Sequence, residues 1–190
     1  MNIPVLTTTR LVLRPLELAD AASIQKRFPR WEIVRFLVAE IPWPYPADGA
    51  ERFVRELALP AMQAGREWHW SIRPASSSDQ LIGVVSLMDK PDNNRGFWID
   101  PDWQGQGVAS EASAAATDFW FETLGRSVLR VPKAAINTPS RRISERTGMR
   151  LVGTTEGHYV SGRHLTEVWE ITRDEWRARS SQPIAQSDRR

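Results

Sequence analysis

The sequence predicts a mixed α/β (α+β) fold, and three observations support this. Three short segments rich in branched and aromatic residues follow one another between turn-forming stretches, which is typical of an antiparallel meander. A glycine-rich turn then opens an alanine-rich helix. Further strand patterns follow that helix, and no internal repeat is visible. We expect one domain over residues 1–179 and a polar, disordered tail over residues 180–190.

The predicted strands are short, apolar and bounded by turn residues. They cover residues 11–15, 68–73, 81–88, 95–99, 128–135, 151–159 and 165–171. The second, third and fourth form the meander, and a turn at Ser161-Gly162 separates the last two.

Helices are predicted where apolar residues recur at helical spacing. The N-terminal helices cover about residues 18–28, 31–38 and 48–65, the last beginning with Asp48 and Glu51 as a capping signature. A later helix has Thr138 as its cap and Pro139 in the first helical position, and it ends near Gly148. Another capping box, Thr172 with Glu175, begins a short helix that holds Trp176.

The segment from Ile41 to Pro46 carries a proline at every second position. Proline has no amide donor, so this segment is excluded from a helix or a central strand. We expect a semi-rigid loop that presents Trp43 and Tyr45.

Composition narrows the class of protein. The chain has 190 residues, 41% of them hydrophobic, and no cysteine, which removes disulfides, thiolate metal sites and a cysteine nucleophile. No apolar run approaches the roughly 18 residues of a membrane span, and no signal segment opens the chain, so a cytoplasmic protein without membrane contact is expected. Direct nucleic-acid binding is not expected, because the net charge is only +2.

The turn from Gln104 to Ala109 joins a strand to a helix and suits a phosphate group, because glycines admit a ligand and first-turn amides are unpaired. A Walker loop is excluded, since Val108 rather than lysine follows Gly107. A dinucleotide fingerprint fits poorly, because no acidic residue lies about twenty residues further on. Gln104, Gly107 and Ala109 match a third pattern, Gln/Arg-x-x-Gly-x-Gly/Ala.

This third pattern is the coenzyme A pyrophosphate loop of GNAT acetyltransferases, and the chain resembles that superfamily over nearly its whole length. The resemblance extends to the following segments: Gly96-Phe97-Trp98-Ile99, Ser110-Glu111-Ala112, Asn137-Thr138-Pro139-Ser140 and Arg146-Thr147-Gly148-Met149. The segments Thr9-Arg10-Leu11, Pro44-Tyr45 and Asp174-Glu175-Trp176 resemble the RimJ/RimL branch, which acetylates N-termini of ribosomal proteins. Val108 and Met149 stand where the family often has aromatic residues.

The resemblance implies a mixed, twisted, seven-stranded sheet with helices on both faces, in which the antiparallel meander leads to parallel, splayed fourth and fifth strands. It implies acetyl-CoA as cosubstrate, with its thioester between those strands. The residues implied to bind coenzyme are Trp98, Ile99, Gln104, Gly105, Gln106, Gly107, Val108, Ala109, Ser110, Asn137 and Ser140.

Ser140 matches the serine that can protonate the leaving thiolate in the RimJ/RimL branch. Serine in a first helical turn can equally serve to satisfy a local amide, and both interpretations stay open. The resemblance also implies that the N-terminal half forms the acceptor side, and five aromatic residues cluster there: Trp31, Trp43, Tyr45, Trp68 and Trp70. Most of them are expected to pack in the core or at its rim. Trp43 and Tyr45 are the expected acceptor-binding residues, because their loop cannot be a core strand.

The sequence does not identify a general base. The candidates are Glu40, Glu67, His69, Glu156 and His158, each of which is more typical of a solvated or locally paired side chain. No metal is expected, because the three histidines lack the spacing of a helical metal pair.

The acceptor is expected to be an amine of low pKa. An α-amine is roughly a tenth neutral at pH 7, whereas a lysine amine is neutral in only about one molecule in a thousand, so an α-amine needs less help from a base. Ribosomal or other protein N-termini and small amines are the expected acceptors, and a homodimer is a further possibility. The alternative function is a non-catalytic module that binds and senses acyl-CoA.

Overall fold

Eight strands form two hydrogen-bonded sheets in the computed structural model, which describes residues 3–180. The first sheet is antiparallel with the order β1-β2-β3-β4-β5, and the second is antiparallel with the order β6-β8-β7. The strands are β1 Leu6–Thr7, β2 Leu11–Pro15, β3 Glu67–Pro74, β4 Gly83–Met88, β5 Arg95–Ile99, β6 Val128–Ala134, β7 Arg150–Tyr159 and β8 Gly162–Thr172. The predicted tail lies outside the described residues, apart from Ser180.

Seven α-helices connect these strands in the described part of the chain. They are α1 Ala21–Arg27, α2 Trp31–Val34, α3 Gly49–Arg52, α4 Leu59–Gln63, α5 Val108–Asp118, α6 Thr138–Arg146 and α7 Arg173–Ser180. A π-helical segment, Phe53–Ala58, joins α3 to α4, and a second one, Phe119–Thr123, extends α5. Pro60 lacks the amide that would continue the regular hydrogen-bond ladder at the start of α4.

The fold class is confirmed, but the expected single sheet of seven strands needs correction. The predicted fourth and fifth strands are β5 and β6, which belong to different sheets, and β1 adds an eighth strand. The two sheets meet where the Asn94 amide donates to the Arg130 carbonyl (2.8 Å) and the Arg130 amide donates to Asn94 Oδ1 (2.7 Å). Beyond this junction, β5 pairs with β4 and β6 pairs with β8, so β5 and β6 share no ladder, and we call the gap between their unpaired edges the cleft.

Alternate side chains of β3 show how helices cover both faces of the first sheet. Trp70 packs edge-on against Phe119 at the end of α5, with ring centroids 5.1 Å apart. His69, the next residue back, points to the opposite face and meets Phe53 at 5.8 Å. The helices on both faces bury their apolar side chains against the sheet, and Trp70 is fully buried.

Two predicted helix starts differ from the structure. Asp48 precedes α3 but makes no side-chain capping bond. Helix α6 is capped by Asn137 rather than Thr138, because the Asn137 side chain accepts a hydrogen bond from the Ser140 amide (3.3 Å). The capping box at Thr172 and Glu175 is confirmed.

The other predicted limits hold to within a few residues. The predicted helix over residues 18–28 is a 3₁₀ turn followed by α1, and the helix predicted over 31–38 is the shorter α2. Gly148 has the left-handed φ of 71° expected at a helix end. No helix within residues 3–180 is long and apolar enough to span a bilayer.

Candidate active site

The backbone of the loop between β5 and α5 has features that favour anion binding. Gly105 and Gly107 have φ of 73° and 82°, in the left-handed region that glycine adopts without steric cost. Within residues 3–180, the amides of residues 105–110 have no hydrogen-bond acceptor in the chain. A row of free N–H groups therefore stands at the positive end of an eleven-residue helix, where a phosphate is electrostatically favoured.

The side chains of the two glutamines brace this loop from within. Gln104 Nε2 donates to the Ile99 carbonyl (2.9 Å), and the Gln104 amide donates to Pro101 (3.1 Å). Gln106 Nε2 donates to the Asp102 carbonyl (3.0 Å). The side chains of both glutamines thus hold the loop in shape, and the free main-chain amides of residues 105–110 remain as its possible ligand donors.

A second brace comes from the N-terminal edge of the first sheet and was not predicted as such. Glu111, in the first turns of α5, accepts from the Thr8 hydroxyl (2.6 Å), and Arg10 Nε lies 2.7 Å from the same carboxylate. Arg10 also donates to the Gln106 carbonyl (2.9 Å). Partial burial acts to raise the pKa of Glu111, but the bonds from Thr8 and Arg10 hold it below its ordinary value.

Asp100 is a third fixing point, directly after β5. Its side chain is completely buried and pairs with Arg27, while Arg30 lies 3.4 Å from its other oxygen. It also accepts from the Asp102 amide (3.2 Å) and so caps the 3₁₀ turn Pro101–Trp103. One buried carboxylate therefore ties the segment between α1 and α2 to the start of the loop. The sequence shows Asp100 directly after a predicted strand, but it does not show that Arg27 and Arg30 are its partners, because they lie about seventy residues earlier.

The register of β5 determines which backbone groups face the cleft. The Met88 amide donates to Asn94 (2.9 Å) and the Asp100 amide donates to Ile82 (2.8 Å), so the even-numbered residues of β5 bond to β4. The amides of Phe97 and Ile99 consequently point away from β4, toward the side of the cleft. The amide of Ile99 is thus outside the β4 ladder, whereas Trp98 has its amide in that ladder and can contribute only through its half-buried side chain.

Asn137 and Ser140 lie together on the first turn of α6, which follows β6. Because Asn137 caps the Ser140 amide, the Ser140 hydroxyl is not needed for that purpose. Within the described residues this hydroxyl makes no hydrogen bond, and the side chain is only partly buried. Among the described residues the Ser140 hydroxyl therefore satisfies no local amide.

The proline-rich loop reaches the cleft through a chain of aromatic rings. Tyr45 packs edge-on against Phe28, with centroids 5.0 Å apart, and Phe28 packs edge-on against Trp98 at 5.4 Å. Burial and, to a smaller extent, the charge of Asp48 raise the pKa of Tyr45 to about 12, so its phenol stays neutral. Trp43 lies further out, 44% exposed and 5.7 Å from the Trp31 ring.

The predicted candidate bases form local pairs at two places. Buried His69 contacts Glu67 (2.9 Å) and Ser86 (2.7 Å), and its hydrogen bond lowers the pKa of Glu67. Exposed Glu156 lies 3.5 Å from Arg163 and 3.9 Å from His158. Glu40 is exposed as well. The described residues contain no cluster of three or more histidine, aspartate or glutamate side chains that could hold a metal ion.

Comparison with protein families adds an independent finding. Residues 10–150 match the family described as acetyltransferase (GNAT) domain. The chain therefore belongs to the GNAT family, and it is an acyl-CoA-dependent N-acetyltransferase.

Three curated proteins from Bacillus subtilis (strain 168) are similar to this chain, and YdaF and YoaA are two of them. The first is YdaF, whose name assigns it a ribosomal N-acetyltransferase activity by inference. It is 30% identical to this chain over 102 residues, which cover 50% of this chain and 56% of YdaF. The N-acetyltransferase YoaA, which is uncharacterised, is 24% identical over 181 residues, or 90% of this chain and 97% of YoaA.

Many solved structures share the fold, and two of them are informative about acceptors. One is RimL, a ribosomal L7/L12 α-N-protein acetyltransferase in complex with coenzyme A, with a TM-score of 0.75, 17% identity and coverage of 89% of this chain and 98% of RimL. The other is a mutant of the spermidine N-acetyltransferase SpeG from Vibrio cholerae, with a TM-score of 0.72, 21% identity and coverage of 92% and 100%.

Proposed function

We propose that this enzyme transfers the acetyl group of acetyl-CoA directly to a primary amine, and that residues 1–179 form its single catalytic domain. The observation that carries the proposal is the row of free amides at residues 105–110, braced on three sides and placed at the open end of the cleft between β5 and β6. This arrangement offers the diphosphate of the coenzyme main-chain donors at a helix N-terminus. A loop held this rigidly pays little ordering cost on binding.

The remaining coenzyme contacts follow the cleft. The Ile99 amide is oriented to donate to the thioester carbonyl, where negative charge develops during attack by the amine. Asn137 uses its oxygen to cap α6, which leaves its side-chain NH₂ group for the pantetheine arm. The Trp98 side chain forms part of the wall.

The reaction requires one C–N bond to form and one C–S bond to break. The neutral acceptor amine attacks the carbonyl, the tetrahedral intermediate expels the thiolate of coenzyme A, and the Ser140 hydroxyl gives that thiolate its proton. The ammonium proton released from the former acceptor nitrogen passes to solvent, from which Ser140 regains its own. A free, partly buried hydroxyl is suited to this role because no group within residues 3–180 competes for its proton.

We propose a protein N-terminal α-amine as the preferred acceptor, with Trp43 and Tyr45 on the acceptor side. Three considerations support this acceptor. An α-amine is already partly neutral at pH 7, and the candidate bases either pair with neighbouring side chains or are exposed. In addition, the names of YdaF and RimL refer to ribosomal acceptors. The second candidate is a small-molecule amine, which is favoured by the likeness to SpeG.

Release of free thiol from acetyl-CoA tests the function. The protein would be incubated with acetyl-CoA and, separately, with N-terminal peptides of ribosomal proteins, the same peptides with blocked α-amines, and spermidine. We expect thiol release with the unblocked peptides and an acetyl group on their α-nitrogen by mass spectrometry. Release with spermidine alone would support the second candidate. Binding of acetyl-CoA without thiol release from any amine would instead indicate a non-catalytic sensing module.

A homodimer is also proposed, and the second sheet supports it. Strand β7 is a ten-residue edge strand that exposes Leu151 and Val152. Long edge strands with apolar side chains are prone to pair with another chain. Light scattering after size exclusion would give twice the mass of 21.6 kDa if this holds.

A further inference from the structure

Lys133 is a buried lysine directly beneath the first turn of α6. Its side chain extends from β6, and the residue is only 6% exposed. Its Nζ donates to the Ser140 carbonyl (3.0 Å) and to the Ser144 hydroxyl. Leu129 and Val131 are buried on the same side of the strand, so the alternation in the sequence could have marked position 133 as inward-facing.

No carboxylate within the described residues lies close enough to form an ion pair with this amine. Glu167, opposite Lys133 on β8, is engaged instead by Arg141 at 2.9 Å and by the Trp169 indole at 3.0 Å. From β5, the buried guanidinium of Arg95 adds a second positive charge. An uncompensated buried lysine is costly, because burial penalises its charged form.

We propose that Lys133 is a positioning residue for the transfer reaction: its amine fixes the first two turns of α6 against β6 and thereby sets where the Ser140 hydroxyl stands in the cleft. This inference rests on the proposed function, because it takes Ser140 as the proton donor. The amine bonds groups one turn apart on α6, so it restrains both the rotation and the height of that helix end. Asn137 restrains the same end from outside.

The precision required of a proton donor explains why a polar anchor is useful here. Displacing a catalytic group by about 1 Å can cost on the order of a hundredfold in rate. An apolar side chain at position 133 would fill the space, but it would not specify the rotation of α6 about its axis. Hydrogen bonds from one amine to two fixed acceptors do specify it, because they are directional.

The environment of Lys133 makes the protonation state of its amine change near neutral pH. Burial first and Arg95 second lower the pKa of Lys133 to about 7, against smaller opposing effects of Glu167 and Glu145 and a further lowering by Arg141. The neutral amine still has two N–H donors for its two acceptors, whereas the ammonium adds an unmatched donor and repulsion from Arg95. We therefore expect the anchor to work best above pH 7.

A double-mutant cycle tests the inference. Lys133→Met should lower kcat about tenfold or more while changing the KM for acetyl-CoA by less than about threefold, and Ser144→Ala should lower kcat by less. In the Ser140→Ala background, neither substitution should lower kcat further, because the residue through which they act is gone. Lys90→Met, at a half-exposed surface lysine, is the matched control and should behave as the wild type.

A pH profile supplies a readout that a merely structural role would not move. The ratio of kcat for the wild type to kcat for Lys133→Met should rise as the pH rises through about 7, and the ionisation of the acceptor cancels in that ratio. If Lys133→Met is unfolded by circular dichroism, Ser144→Ala carries the cycle alone.

The outcomes separate this inference from the proposed function. If Ser140→Ala lowers kcat but Lys133→Met and Ser144→Ala do not, only the role of Lys133 is overturned. An equal loss of kcat with and without Ser140, or a kcat ratio independent of pH, overturns it too. If Ser140→Ala itself leaves kcat unchanged, the proton-donor assignment fails and this inference fails with it.

Discussion

Asn137 and Ser140, at the first turn of α6, have separate roles: Asn137 caps the helix, and Ser140 keeps its hydroxyl free. Asn137 satisfies the free amide of the helix end, and the Ser140 hydroxyl is left without a partner in the described part of the chain. A free hydroxyl on a capped helix keeps its position while its proton remains available. This division turns a position that the sequence left open into the strongest candidate for proton transfer.

Replacing Ser140 by alanine removes that proton source. Because general acid catalysis contributes typically about a hundredfold or more, we expect kcat to fall at least about tenfold, with water as a partial substitute. The dissociation constant for acetyl-CoA should change little, since the braced loop is untouched. Steady-state kinetics together with a binding titration would measure both. Ser77→Ala, at an exposed serine in another turn, is the control, and an unchanged kcat for Ser140→Ala would refute the acid role.

Trp43 is the residue on which the acceptor side is best tested. It is 44% exposed beside Trp31, whereas Tyr45 is packed against Phe28 and its removal would disturb the wall of the cleft. Trp43→Ala should raise the KM for the peptide acceptor several-fold and leave acetyl-CoA affinity unchanged. Leu57→Ala, at an exposed apolar residue elsewhere, provides the comparison. A parallel loss of coenzyme binding would indicate misfolding instead.

At the scale of elements, the braces around the glycine-containing loop support its proposed role as the coenzyme site. The Arg10 and Glu111 side chains join β2 to α5, and Asp100 joins the end of β5 to the helices before the proline-rich loop. These contacts hold the loop from both sides, so its free amides keep their positions without a ligand. Such preorganisation lowers the entropic cost of binding.

Paired glycine substitutions separate binding from stability. Gly105 and Gly125 share a left-handed φ, 73° and 66°, and an added Cβ would meet no atom within 4 Å at either position. Alanine at either site should therefore cost about 1 kcal/mol of unfolding free energy. Only Gly105→Ala should weaken acetyl-CoA binding, because only that glycine lies in the loop. Urea unfolding and calorimetry measure the two effects, and equal affinities for the two variants would contradict a phosphate role.

Asp100→Asn tests the link between the loop and the acceptor side. The substitution keeps the shape but leaves Arg27 and Arg30 without their buried counter-charge. Loss of one partner from a buried ion pair is costly, so we expect about 2–4 kcal/mol of destabilisation, reduced by the partial exposure of both arginines. The KM values for coenzyme and acceptor should rise together. Asp89→Asn, in an exposed pair with Arg126, is the control and should stay close to the wild type.

The local elements were predictable from the sequence, and the long-range contacts were not. The glycine loop, the strands of the meander and the capping box at Thr172 depend on neighbouring residues, so their patterns are visible in short windows. The brace between Arg10 and Glu111 joins residues 101 positions apart, and no local pattern specifies it. The cap of α6 was misassigned by one residue, because asparagine and threonine are both suitable caps.

At the scale of the whole molecule, the break between the two sheets is the feature on which the proposed function depends. The sheets join only near Asn94 and Arg130 among the described residues, and the cleft opens from there toward the glycine loop on one side and α6 on the other. A continuous sheet without the expected splay would have used the Ile99 amide for pairing. Because β6 pairs with β8 instead, that amide stays outside the sheet ladders, as the proposed contact with the thioester carbonyl requires.

Calorimetric titration of the folded protein with acetyl-CoA is the most direct measurement of the central claim, that the free amides of residues 105–110 grip a diphosphate. We predict saturable binding of acetyl-CoA and CoA, a much weaker interaction with pantetheine, which lacks the diphosphate, and loss of affinity in Gly105→Ala but not in Gly125→Ala. Folded protein that gives no binding heat at millimolar coenzyme, or that binds pantetheine as tightly as CoA, would contradict the account.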